Sequence, residues 1–351
     1  MGPPRGKTIF SLALARGMRS RSAWSRSAWC IASLILTFMG VCQALSQQVQ
    51  LPRDDDEVLT PGREVTTTQL LHLRQKAENG DSGAQSMLGT MYMRGLGIPQ
   101  DYHQAAKWFE DAGAQGSADA QLALGYLYEY GKGVKQDLHR ASRNYRAAAE
   151  QGQTTAANNL GFLYQQGKGV QKNLGLALHW IRFSAEHGNP VGQCNLGSLY
   201  LSGRGVPKSP SEAARWYLAA AEQNLSQAQN NLALMYFKGT GIPRDYAQAA
   251  IWARRAAERG NVLGQAFLAY LYERGLGVPL DYVAAYMWYS AAAAGGNARS
   301  SKRLNDLSRV MLAQQLITAR TQASAWVAEH LKASNTPSET DSVAITEQVQ
   351  R

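Results

Sequence analysis

Cysteine is scarce. The 351-residue chain has three, Cys30, Cys42 and Cys194, and three cannot make a disulfide framework. None pairs with a histidine at zinc-site spacing. The six histidines (His72, His103, His139, His179, His187 and His330) are scattered, with no two four apart on one helix, so no metal site is expected. Gly-x-Gly-x-x-Gly and Walker sequences are also missing, which removes the phosphate-cradling loops of nucleotide enzymes. Charged residues are only 18% of the chain, and acids such as Glu110 and Asp111 are adjacent, on different helix faces, rather than set as a facing acid and base. No catalytic residue, metal ligand or cofactor is expected. A binding protein is favoured over an enzyme, with a cell-wall-acting hydrolase as an alternative. Disorder is excluded by what is abundant: the chain is 45% hydrophobic, with 16 Tyr and 8 Trp, enough for a large core.

Acids are absent from the first 46 positions, which hold Arg5, Lys7, Arg16, Arg19, Arg21 and Arg26. The formal charge of +10 would by itself suggest a nucleic acid or an anionic membrane. Six units of it belong to this segment. An apolar run from Ala28 to Cys42 follows, then Ala44-Leu45-Ser46, which makes a basic n-region, a hydrophobic h-region and a small-residue cleavage site in order. A spanning helix needs about 20 apolar residues. Residues 1–46 therefore read as a signal peptide cut before Gln47, with an uncleaved signal anchor as the alternative and Met18 as a second possible start. The location this predicts is the periplasm, and the alternatives are an inner-membrane anchor facing the periplasm, or secretion. The remaining charge reads as spread among interspersed acids, with no aromatic-interleaved basic stripe, so no nucleic-acid partner is expected, and a membrane one only if the leader is kept. Cys194, the one thiol left after cleavage, reads as a small helix residue.

Glycine is plentiful, with 33 copies, and most of them lie on a 36-residue lattice. Leu88, Leu124, Leu160, Leu196, Leu232 and Leu268 share that spacing, as do Tyr92, Tyr128, Tyr164, Tyr200, Tyr236 and Tyr272. A Gly-x-Gly repeats with them, from Gly95/Gly97 to Gly275/Gly277. Each unit predicts two helices. In the first, Ala84, Leu88 and Tyr92 fall four apart on one stripe, and the glycine stops the helix by taking a left-handed C-cap. The second starts at Asp101, Asp137, Asn173, Ser209, Asp245 or Asp281, each a good N-cap, with capping-box character where Gln104, Glu212 or Gln248 follows. Trp108, Trp180, Trp216, Trp252 and Trp288 are expected to supply bulk, with Asn144 and its neighbour Tyr145 the exception. No unit can bury its stripe alone, so the units stack. The predicted fold is all-α, an α/α solenoid of six helix-turn-helix repeats (81–116, 117–152, 153–188, 189–224, 225–260 and 261–296). A capping helix over 66–80 follows a linker at 47–65, capping helices occupy 297–332, and a polar tail covers 333–351.

The pattern small-x-x-x-Leu-Gly-x-x-Tyr, Gly-x-Gly-Val/Ile, acidic cap, Ala and Trp, then Ala-x-x-Gly resembles the Sel-1-like repeat, a 36-residue relative of the tetratricopeptide repeat. The resemblance covers residues 81–296. It implies a right-handed superhelix that serves as a protein–protein adaptor, and exported bacterial members imply an envelope, polysaccharide or cell-wall setting, or a host protein as partner. A cysteine-rich subgroup linked to β-lactam binding has a disulfide in each repeat; this chain lacks those cysteines, so that activity does not carry over. In a tetratricopeptide-like geometry the off-stripe residues of the first helices line the concave face. The candidate partner-binding residues there are Tyr126, Tyr130, Asn159, Phe162, Asn195, Asn231, Leu234, Tyr270 and Arg274. Asn159, Asn195 and Asn231 recur at one lattice position in three consecutive repeats, and a row of amides can donate to and accept from an extended peptide. The alternative reading is that these amides satisfy inter-repeat contacts.

Overall fold

The computed structural model describes residues 66 to 334. The expected leader, its hydrophobic segment, the linker and all but the first two residues of the tail lie outside the described residues. Fifteen helices follow one another, and no strand occurs among the described residues. Helix α1 (Thr67–Glu78) precedes six helical hairpins: α2 (Ser82–Arg94) with α3 (Tyr102–Ala114), α4 (Ala118–Tyr130) with α5 (Leu138–Glu150), α6 (Thr154–Gln166) with α7 (Leu174–Glu186), α8 (Pro190–Ser202) with α9 (Pro210–Glu222), α10 (Ser226–Lys238) with α11 (Tyr246–Glu258), and α12 (Val262–Arg274) with α13 (Tyr282–Ala294). Two further helices, α14 (Ala298–Val310) and α15 (Ala313–Ser334), close the array. The last helix thus carries the cap two residues beyond its expected end at 332.

The hairpins repeat because their local chemistry repeats. Gly95 ends α2 at φ +71°, a conformation that costs a residue with a Cβ about 1–2 kcal/mol. Asp101 then caps α3 by accepting from the backbone N–H of His103 and Gln104, and its own N–H donates to the Tyr92 carbonyl at 2.9 Å. The same backbone bond closes the other five hairpins, from Asp137 to Tyr128 through Asp281 to Tyr272. A complete capping box forms where the array begins, between Thr66 and Gln69.

The lattice leucines are fully buried, and so is one residue of each facing second helix. That residue follows the expected tryptophan: Phe109, Tyr145, Ile181 and Tyr217 lie in the core, while Trp108, Trp180 and Trp216 are only half-buried. Tyr145 is thus the rule and not the exception. The lattice glycine beside each Leu makes the room. A Cβ on Gly89 would come within 2.7 Å of the Phe109 ring, and one on Gly161 within 2.7 Å of Ile181. In the last two repeats alanine stands at that position (Ala233, Ala269), and Trp252 and Trp288 are themselves buried.

A second lattice joins one repeat to the next. Gln85, Gln121, Gln193, Gln229 and Gln265 each donate from Nε2 to a carbonyl eight residues earlier, at the end of the preceding second helix. The amide of Gln115 then donates to Gln85, Gln151 to Gln121, and Gln223 to Gln193, at 2.7 to 2.8 Å. First helices of neighbouring repeats approach one another more closely than second helices do, which places the first helices on the inner side of the curved stack. At the C-terminal end Trp326 of α15 meets Trp288 edge-on, ring centroids 5.5 Å apart.

Candidate functional site

The inner face has three zones. Near its start, the rings of Tyr126 and Tyr130 lie 5.0 Å apart on α4, one half-buried and the other exposed. Lys132, between its loop glycines, donates to the Tyr126 hydroxyl. Its ammonium sits 4.9 Å from that ring and 5.2 Å from the ring of Tyr102. Four repeats on, the rings recur. Phe237 contacts Phe267 (5.3 Å), Tyr246 (5.4 Å) and Tyr270 (6.0 Å), and the Arg274 guanidinium lies 5.9 Å from the Tyr270 ring. Tyr126 and Tyr270 are lattice equivalents, as are Tyr102 and Tyr246.

Between these clusters lie the amides. Asn195 Nδ2 donates to Asn158 Oδ1 at 2.8 Å, and Asn231 Nδ2 reaches the Cys194 sulfur at 3.9 Å. Beside the row, the Asn230 Oδ1 is buried with no hydrogen-bond partner among the described residues. Asn195 therefore bridges neighbouring first helices, whereas Asn159 turns its amide towards the Tyr145 hydroxyl. Phe162 and Leu234 are half-buried on the same helices and join neither ring cluster. The sequence reading missed Tyr102, Phe237 and Tyr246. The first and last stand directly after an N-cap, and their equivalence across four repeats was the available signal.

Glu129 adjoins the first cluster. Its carboxylate accepts from the buried Tyr145 hydroxyl at 2.7 Å. Burial holds its pKa above the ordinary carboxylate range, against the opposing hydrogen bond from Tyr145 and the charge of Lys168. Burial, then the Glu129 charge, also pushes up the Tyr130 hydroxyl. The Cys194 thiol is pushed up to about 12 by burial, so it stays protonated at neutral pH and is not a nucleophile there.

A separate groove of about 1060 Å³ lies on the outer side, between α3 and the loop leading into α5. His103 and His139 line it, with Lys107, Lys135 and a chain in which Arg140 donates to the Tyr128 hydroxyl and Tyr128 to Glu110. A smaller equivalent of about 390 Å³ recurs beside Ile251 and Arg254. Among the described residues no three His, Cys, Asp or Glu side chains converge as metal ligands, and no helix is long and apolar enough to cross a membrane.

The Sel1 repeat model matches residues 82–117, 118–153, 154–189, 190–225, 226–261 and 262–297. The fold is similar to that of a protective antigen of uropathogenic Escherichia coli displaying an SLR fold, at 31% identity and a TM-score of 0.71 over 81% of this chain and 61% of that one. It is also similar to a Sel1 repeat protein from Oxalobacter formigenes, at 35% identity and a TM-score of 0.60 over 64% of this chain and 90% of that one. The chain thus spans less than two thirds of the length of the antigen. Comparison with curated proteins gives no match. Six consecutive matches in register, on a lattice whose every turn is accounted for above, show that the chain belongs to the Sel1 repeat family.

Proposed function

We propose that the inner face holds an extended segment of a protein partner, its side chains taken by the ring clusters at the two ends and its backbone by the amides between. Sel1 repeat proteins generally mediate protein–protein interaction, and the scaffold is typically non-catalytic. The observation that carries the finer reading is the recurrence, at lattice-equivalent positions four repeats apart, of ring clusters that stay partly open to solvent and each carry a cation, with a row of side-chain amides between them. A peptide backbone supplies both complements to an amide, a carbonyl and an N–H, along one strand. The basic leader supports export, so the partner is expected in the cell envelope or, as a second setting, on a host protein.

Replacing Asn159, Asn195 and Asn231 together by alanine is expected to weaken capture of the native partner at least about tenfold, since each lost hydrogen bond removes roughly 0.5–1.5 kcal/mol. Helix content measured by circular dichroism should stay unchanged. Unaltered capture by a folded triple variant would move the site away from this face.

A further inference from the structure

The loops joining first to second helices stack along one edge of the array. A Cβ on Gly205 of one loop, for example, would come within 3.3 Å of the Leu174 carbonyl in the second helix of the preceding repeat. That edge is basic. From the last residue of each first helix to the residue before the next N-cap no repeat has an acid, while four successive loops hold two cations each, Lys132 and Lys135, Lys168 and Lys172, Arg204 and Lys208, Lys238 and Arg244, of which Lys172, Lys208 and Arg244 recur 36 apart. The capping aspartates that follow use their carboxylates on backbone N–H groups, and the third and fourth repeats cap with neutral Asn173 and Ser209. The charge read from sequence as spread is therefore sorted by the fold.

The opposite edge carries a row of acids, joined by a cation only in the fifth repeat, where Arg259 follows the last of them. Glu150, Glu186, Glu222 and Glu258 are each the last residue of a second helix, 36 apart and exposed. None of them forms an ion pair among the described residues. Two arginines one turn earlier, Arg146 and Arg254, donate instead to the hydroxyls of Tyr164 and Tyr272. A carboxylate at a helix C-terminus is disfavoured by the helix dipole, so helix stability does not account for this row.

We propose that the two edges dock on each other, the acidic edge of one copy of the chain lying along the basic edge of a second copy. The glutamate row and the row of Lys172, Lys208 and Arg244 both recur every 36 residues, so they share their spacing, and a register that aligns one Glu with one cation aligns the neighbours too. Single exposed ion pairs are weak, and it is the shared register that lets them act together. The contact is head-to-tail: each copy keeps one edge free, so association continues into larger assemblies.

Sedimentation of the full chain at rising concentration, in 0.1 M and 1 M salt where the Debye length is about 10 and about 3 Å, tests this directly. The weight-average mass is expected to rise by about twofold or more in the lower salt and to stay at the monomer value in the higher. The surface variants E150K/E186K/E222K and K172E/K208E/R244E should each remain monomeric, and an equimolar mixture of the two should recover the larger mass. Reversing charges off the rows, in K107E/R143E/K302E, should leave association intact. A wild-type chain that stays monomeric in 0.1 M salt overturns the proposal, as does a mixture of the two edge variants that stays monomeric, or an off-row variant that dissociates as the edge variants do.

Discussion

Glu129 and Glu273 occupy the same lattice position four repeats apart, and each accepts a hydrogen bond from the tyrosine sixteen residues later, Tyr145 at 2.7 Å and Tyr289 at 2.9 Å. Their surroundings differ in charge. The capping helix α14 brings the partly exposed Arg303 onto the buried Glu273 as an ion pair, whereas Glu129 has the neutral Tyr145 and Tyr130 and the more distant charge of Lys168. The comparison separates two ways of holding a carboxylate at a repeat junction. One neutralises it with the cap that ends the array; the other leaves it partly desolvated beside the exposed Tyr130 on the inner face. A lattice position thus fixes geometry without fixing electrostatics.

The difference can be broken from either side. Arg303→Ala should turn the Glu273 junction into a second Glu129, and leaving that carboxylate buried and unpaired is expected to cost roughly 2–4 kcal/mol, below the fully buried case because Arg303 is partly exposed. Urea denaturation measures it. Tyr145→Phe removes the hydroxyl donor on which Glu129 depends, and a loss of about 1–2 kcal/mol is expected. Tyr289→Phe should cost less, since Arg303 still serves Glu273.

The smallest effect sharpens the contrast most. Burial raises the folded pKa of Glu129 above its unfolded value, so the folded chain takes up this proton at a higher pH than the unfolded chain does. The stability this confers is complete below the unfolded carboxylate pKa and is lost as pH rises through the folded value. Glu129→Gln should therefore change stability at neutral pH by less than about 1 kcal/mol, in the stabilising direction, and should remove one component of the gain seen as pH falls. Urea midpoints across the mildly acidic range would show it. A variant whose pH profile overlays the wild type would contradict the assignment.

Much of the fold was legible because the signals that make a hairpin are local. An Asp or Asn at an N-cap and a Gly at a C-cap act within one turn of their own position, and all six hairpins close as their residues require. What was not legible depends on which side of a helix meets a neighbour. The tryptophans are the bulkiest lattice residues, but the residue after that position faces the lattice glycine, as Tyr145 does at Gly125. The glutamine lattice was visible as spacing, yet its meaning depends on the turn that brings Gln85 to the Ala77 carbonyl. The candidate site divides the same way. The rings of Tyr126, Tyr130 and Tyr270 lie on the helices from which they were read, whereas Lys132 needed the fold to place it between Tyr102 and Tyr126.

The central claim, that the inner face is the binding surface, is tested most directly by position-specific photocrosslinking in the native cell. A photoreactive residue at Tyr130 or Arg274 is predicted to trap the same partner protein, and one at Lys107 in the outer groove to trap none. Adducts that form from Lys107 and not from Tyr130 or Arg274 would contradict the account and assign recognition to the outer side.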